Sequence, residues 1–400
     1  MGASANNSLP EPFPEETIVS LLEAIGLGRP AFIKPLTVTA AFHIIYVLTY
    51  PRDAIAHRLR PDSLPSDPSS GVDLILRISG DHVPRIKTEN ETAILTWLRE
   101  NTSIPVPDVV AFDVTTANIL GHEYQITNRC PGEAISDIYD TLSPTQLDSI
   151  LLQLMHMLAE LHQHPFTEIG GLSFSPDNTT TTTVGPMLDE HFWFICDIPH
   201  YFPPTETFTS LNYSGPFATF TAYVTAAVNS YVHVASIHPS LQAPLHPFLP
   251  RIAAFLAALP NHASTLNTTP IYLAHKDLHF ANILYDTATD RITAILDWEF
   301  AGTVPYPQWD PVRAFLWNAK PGKESFDEKY RLRDRFWELC HENGKGFLAE
   351  TAFGNELQES AHLVRNSLRG ITTNVPKELH PEAVEKWFKD LETGLQAFGV

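Results

Sequence analysis

Two periods of apolar residues divide the chain. Through the first third, short apolar runs are broken by turn-forming residues: FIKPLTV (32–38) and FHIIYVLTY (42–50) flank a brief interruption and read as strand, loop, strand. VDLILRIS (72–79) reads as a buried strand, and PDVVAFDV and HEYQITN (122–128) as two more, while PRDAIAHRLRPDSLPSDPSSG (51–71) collects Pro, Ser and Asp and predicts a long exposed connection. Within this strand-rich region RIKTENETAILTWLREN places Glu91, Ile94, Leu95 and Leu98 at i, i+3, i+4 and i+7. That spacing predicts a helix carrying Glu91 beside its apolar face. The first 128 residues therefore predict a mainly antiparallel sheet crossed by one helix.

Beyond residue 128 the period lengthens. Ser143, Pro144 and Gln146 supply an N-cap, a first-turn proline and a capping box for a helix whose Leu147, Ile150, Leu151, Leu154, Leu158 and Leu161 share one face. Further helices are predicted over roughly 218–235, 248–259, 324–342, 355–369 and 381–397. SPDNTTTTTVGP (175–186) and YFPPTETFTSLNYSGP (201–216) predict loops. The fold class is α+β: a small antiparallel-sheet lobe, residues 1–128, and a larger mainly helical lobe, residues 129–400.

Composition narrows the function classes. The 400 residues carry 46 acidic against 26 basic side chains, a formal charge of −20, which disfavours nucleic acid and anionic membrane as partners. Three widely spaced cysteines, Cys130, Cys196 and Cys340, indicate neither a disulfide framework nor a zinc site. The N-terminus lacks the basic and apolar regions of a secretory signal, and no apolar run approaches bilayer length, so a cytoplasmic protein is expected.

The densest polar chemistry lies in LAHKDLHFANILYD (273–286), followed after the turn TATD by RITAILDWEF. Pairing 282–285 with 291–296 as a hairpin brings Asn282, at the start of one arm, near Asp297, at the end of the other. An amide oxygen with a carboxylate, leaving room for water and phosphate, suits Mg2+. Asp277 precedes Asn282 by five residues, the D-x-x-x-x-N spacing of a catalytic aspartate and a magnesium-binding asparagine in kinases.

HKDLHFAN followed by ILDWE resembles the aminoglycoside phosphotransferase and choline kinase branch of the protein-kinase-like fold. RIKTENETAILTWLRENTSIPVPDVVAFD and AELHQHPFTEIGGLSF resemble its large fungal subgroup, and the resemblance runs from about residue 31 to the C-terminus. It implies a bilobal kinase-like fold and transfer of the γ-phosphate of ATP to a hydroxyl of a small alcohol or amino-alcohol, in secondary metabolism for example. Asp277 would be the catalytic base and His275 the residue bracing its loop; Asn282 and Asp297 would hold Mg2+. Arg77 would stand for the usual strand lysine and pair with Glu91, with Lys87 and Lys34 as less well placed substitutes; Thr39, Ala40 and Thr127 complete the expected nucleotide contacts. Glu299 would support metal or substrate. Asp189, Glu190 and Trp193, in MLDEHFWFICDIPHYF, would form an acidic and aromatic pocket for a cation, although the same segment also reads as a helix packing its aromatics into the core. Two departures from the family stand out: arginine at position 77, and no glycine across PLTVTAAFHIIY (35–46), where a glycine-rich phosphate-covering turn is expected. The alternatives are a pseudokinase-like binding or regulatory protein, and a kinase-like fold recruited to a non-phosphoryl biosynthetic reaction.

Overall fold

The computed structural model describes residues 8–36, 41–65, 67–175, 178–306, 323–350 and 352–400. Helix α1 (Glu15–Ala24) precedes strands β1 (Phe32–Pro35), β2 (His43–Tyr50) and β3 (Val72–Ser79); α2 (Ile86–Asn101) follows, then β4 (Val109–Asp113) and β5 (Tyr124–Asn128). The five strands form one antiparallel sheet in the order β1-β2-β3-β5-β4, with Arg77 on the central strand opposite Ile45 on one side and Gln125 on the other. Alternation on β3 sends Leu74, Leu76 and Ile78 into a core closed by Ile18, Leu21 and Leu22 of α1, so Arg77 faces the opposite side.

The second lobe begins with β6 (Glu133–Ala134) and α3 (Pro144–Leu161), whose Ser143 cap and Gln146 complete the expected capping box. β7 (Gly171–Ser175) and β8 (Asn178–Gly185) then form a hairpin. The threonine run expected as a loop is therefore strand, in keeping with the preference of β-branched side chains for a pleated surface. Helices α4 (Phe220–Ile237) and α5 (Leu249–Ala258) follow, then β9 (Ile271–Ala274), β10 (Ile283–Asp286), β11 (Arg291–Ile295) and β12 (Gly302–Pro305). The chain ends with α6 (Lys323–Glu342), α7 (Glu356–Asn374) and α8 (Pro381–Gln396). Among the described residues no helix is long and apolar enough to cross a membrane.

Helix α2 joins the lobes. Ile94, Leu95 and Leu98 pack in the core shared with α3 and the β10–β11 hairpin. Its polar residues Lys87, Asn90 and Glu91 are buried as well, because α2 is covered on one face by the sheet and on the other by β7 and β8. Asn90 acts as a clamp: Nδ2 donates to the carbonyls of Glu299 and Ala301, each at 3.0 Å, and Oδ1 accepts from the Leu172 backbone N–H at 2.7 Å. Gly171 permits that approach, since a Cβ there would lie 2.6 Å from Asn90 Oδ1.

Candidate active site

Strand β9 delivers the chain into the loop 275–282. His275 is buried beneath it, its ring 4.5 Å from that of Trp298. Burial lowers its pKa, and a neutral ring fits both contacts: Nε2 donates to the Leu296 carbonyl at 2.7 Å, and Nδ1 accepts the Asp277 N–H at 3.3 Å. Asn282 Nδ2 donates to the Asp277 carbonyl at 2.9 Å, and the Asn282 carbonyl accepts the Leu296 N–H at 2.8 Å. The expected hairpin forms, with β10 antiparallel to β11, so Asp277, Asn282 and Asp297 are held by one bonded frame. Lys276 and Asp297 take left-handed backbone conformations, φ 69° and 67°. Such conformations cost a non-glycine residue roughly 1–3 kcal/mol each, and they turn the chain sharply at both places where it presents a carboxylate.

The sheet supplies the opposite wall. The Arg77 guanidinium donates through Nη1 to Glu91 and through Nη2 to Asp297 Oδ1, the latter at 3.0 Å. Burial opposes its charge, but Glu91, Asp297 and Glu299 outweigh that and raise its pKa. His43 stands between two cations, 3.2 Å from Arg77 Nη2 and 2.9 Å from Lys87 Nζ. Burial, then both cations, holds its pKa well below the usual value, so it is neutral and accepts a hydrogen bond from one of the two. Thr127 of β5 is buried in the sheet and lines the cleft; Thr39 and Ala40 lie outside the described residues.

Several expected contacts are committed elsewhere. Glu299 is 4% exposed and accepts from Lys87 Nζ at 2.8 Å, so it ties β11 and the following turn to α2. Burial raises its pKa, with Lys87 opposing. Asp189 does not offer an open carboxylate: Arg365 Nη2 donates to it at 2.9 Å, Tyr213 at 3.0 Å, and Arg369 lies at 3.4 Å. Trp193 is buried, edge to face with Phe202, and its ring already receives the chain's own cation, Lys377 Nζ, 4.7 Å from the centroid. Glu190 is largely exposed at the cleft, 3.4 Å from His191. Against the alternative reading of this segment as a helix, only Ile198–Tyr201 is helical. The residues the sequence reading passed over are His43, Asn90, Arg365 and Arg369. Arg365 and Arg369 carry a signal in their four-residue spacing, which places both on one face of α7.

The cleft between sheet and helices has a volume of about 1580 Å³ and is lined by Arg77, Glu91, Asp277, Asn282 and Asp297. Asn282 and Asp297 provide one amide oxygen and one carboxylate. Among the described residues no three His, Cys, Asp or Glu side chains gather as a metal cage; Asn282 and Asp297 could offer two oxygens to an ion such as Mg2+, which takes water and phosphate oxygens as its other ligands.

A small antiparallel sheet over a helical lobe, with an aspartate loop and an Asn/Asp hairpin at the junction, defines a protein of the kinase-like class. The chain belongs to the phosphotransferase enzyme family APH, whose model matches residues 66–338. It is 25% identical over 257 residues to a subtelomeric hrmA-associated cluster protein of Aspergillus fumigatus, across 54% of this chain and 50% of that one. The chain thus spans about half the length of the curated relatives it matches. Among solved structures it is similar to aminoglycoside phosphotransferase APH(4)-Ia, at 15% identity and TM-score 0.49 over 97% of this chain and 100% of that one. It is also similar to APH(2")-IIa solved with gentamicin, at 12% identity and TM-score 0.49 over 96% and 97%.

Proposed function

We propose that the chain transfers the γ-phosphate of Mg·ATP to a hydroxyl of a small molecule, with residues 1–128 covering the nucleotide and residues 129–400 supplying the catalytic loop and the acceptor site. The observation that carries this reading is the bonded frame of Asp277, Asn282 and Asp297 opposite the Arg77–Glu91 pair. The acceptor O–H gives its proton to the Asp277 carboxylate as its oxygen bonds to the γ-phosphorus, and the bond from that phosphorus to the bridging oxygen of ADP breaks. Phosphoryl transfer is loose, so Asp277 acts mainly by orienting the hydroxyl. His275 keeps the loop in place from behind. Arg77, fixed by Glu91, supplies positive charge toward the phosphates. Mg2+ bound at Asn282 and Asp297 would neutralise the charge that develops on the phosphate oxygens.

One observation favours a second reading, a kinase-like binding protein without turnover: Arg77 occupies an oxygen of Asp297, which a metal must share or take over. The two separate in an assay of ADP release with Mg·ATP and a panel of small alcohols, with phosphate monoesters followed by phosphorus NMR. The transfer reading expects ADP and monoester to appear together. Bound nucleotide without ADP release from any acceptor supports the second reading.

A further inference from the structure

The acceptor side of the cleft holds cationic donors that its own carboxylates do not fully take up. Helix α7 brings Arg365 and Arg369, and the catalytic loop Lys276, to an inner wall that also carries Asp189, Glu190 and Asp277. Arg365 and Arg369 face one buried carboxylate, that of Asp189, and Lys276, next to Asp277 in the chain, lines the same wall. Lys276 Nζ donates to the Leu188 carbonyl at 2.8 Å and forms no ion pair with a carboxylate of the described residues. Arg365 is 1% exposed, and its Nε has no hydrogen-bond partner among the described residues. Arg369 is a quarter exposed; Nη2 donates to Asn366 at 2.9 Å, and its approach to Asp189 is long. The neighbouring cation Lys377 is already matched, by Asp197 at 2.8 Å.

Arg365, Arg369 and Lys276 thus stand among Asp189, Glu190 and Asp277, yet only Asp189 is bonded by the arginines, and Lys276 and Arg369 keep donors toward the cleft that no carboxylate of the described residues takes up. A cationic group placed beside Lys276 and Arg369 would meet like charge. A carboxylate reverses that sign, and the arginine fork matches its two oxygens. We propose that the acceptor is a carboxylate-bearing alcohol, its anionic end received by Arg369 and Lys276 while its hydroxyl reaches Asp277. This rests on the phosphotransferase reading for the fate of the hydroxyl, but the charge preference is a property of the wall and is read by binding alone.

The test is calorimetric binding of two matched pairs, 4-hydroxyphenylacetate against tyramine and gluconate against N-methylglucamine, without nucleotide and with Mg·ADP. The acid of each pair is expected to bind at least about tenfold more tightly than the amine, at moderate salt. Arg369→Gln removes the preference and Arg369→Lys restores part of it, with both variants melting near the parent temperature. Amines bound as tightly as acids, no binding of either acid, or an acid preference untouched in Arg369→Gln each overturns the proposal. Failure of Mg·ATP to bind or turn over would count against the phosphotransferase reading and leave this result standing.

Discussion

Asp277→Ala is expected to lower monoester formation about 100-fold or more, the range in which positioned acid-base groups contribute. The Asp277 side chain is 43% exposed, so an acceptor reaches it without rearrangement of the core. Its backbone carries the structural load: the carbonyl accepts from Asn282 and the N–H donates to His275. Alanine keeps both backbone bonds and deletes only the carboxylate. Mg·ATP affinity should therefore stay within about threefold of the parent, roughly 0.6 kcal/mol. Parallel initial-rate and titration measurements check the two halves, and full turnover in Asp277→Ala would remove the mechanism.

Lys87→Ala is expected to cost about 3 kcal/mol of stability, because it leaves the Glu299 carboxyl buried without its partner and Asn90's helix without that tie. Lys87 and Glu299 are both buried, 2.8 Å apart, and they join α2 to the turn after β11. Without Lys87, Glu299 is left among Asp297 and Glu91, both of which already push its pKa up. The predicted result in urea is a lower midpoint with an unchanged slope. Lys87→Met combined with Glu299→Gln should recover most of the loss, since the pair is then replaced rather than broken. A single Lys87→Ala variant as stable as the parent would mean that the pair does not hold α2 to the site.

Periodicity made most of this fold legible. The sheet strands and the α2 face with Ile94, Leu95 and Leu98 follow from two- and four-residue spacings, as does the hairpin that brings Asn282 to Asp297. Spacing could not show how buried polar side chains pair across distant segments. Lys87 and Glu299 are 212 residues apart, and Asp189 and Arg365 are 176 apart, so neither pair leaves a local pattern. The acidic run at Asp189 and Glu190 suggested a cation pocket because its arginine partners lie on a helix far along the chain. The threonine run is illegible as strand for a different reason: low complexity masks it, and its partner, Gly171–Ser175, is itself rich in glycine and serine.

In the proposed site Asn282 and Asp297 hold Mg2+ on the phosphates of ATP across from Arg77. That placement is tested most directly by calorimetric titration of ATP into the protein with and without Mg2+, repeated on Asp297→Ala. Binding is expected to require Mg2+ and to be lost in Asp297→Ala. No binding at millimolar ATP, a range that corresponds to about −4 kcal/mol, or binding indifferent to both the metal and the substitution, would contradict it.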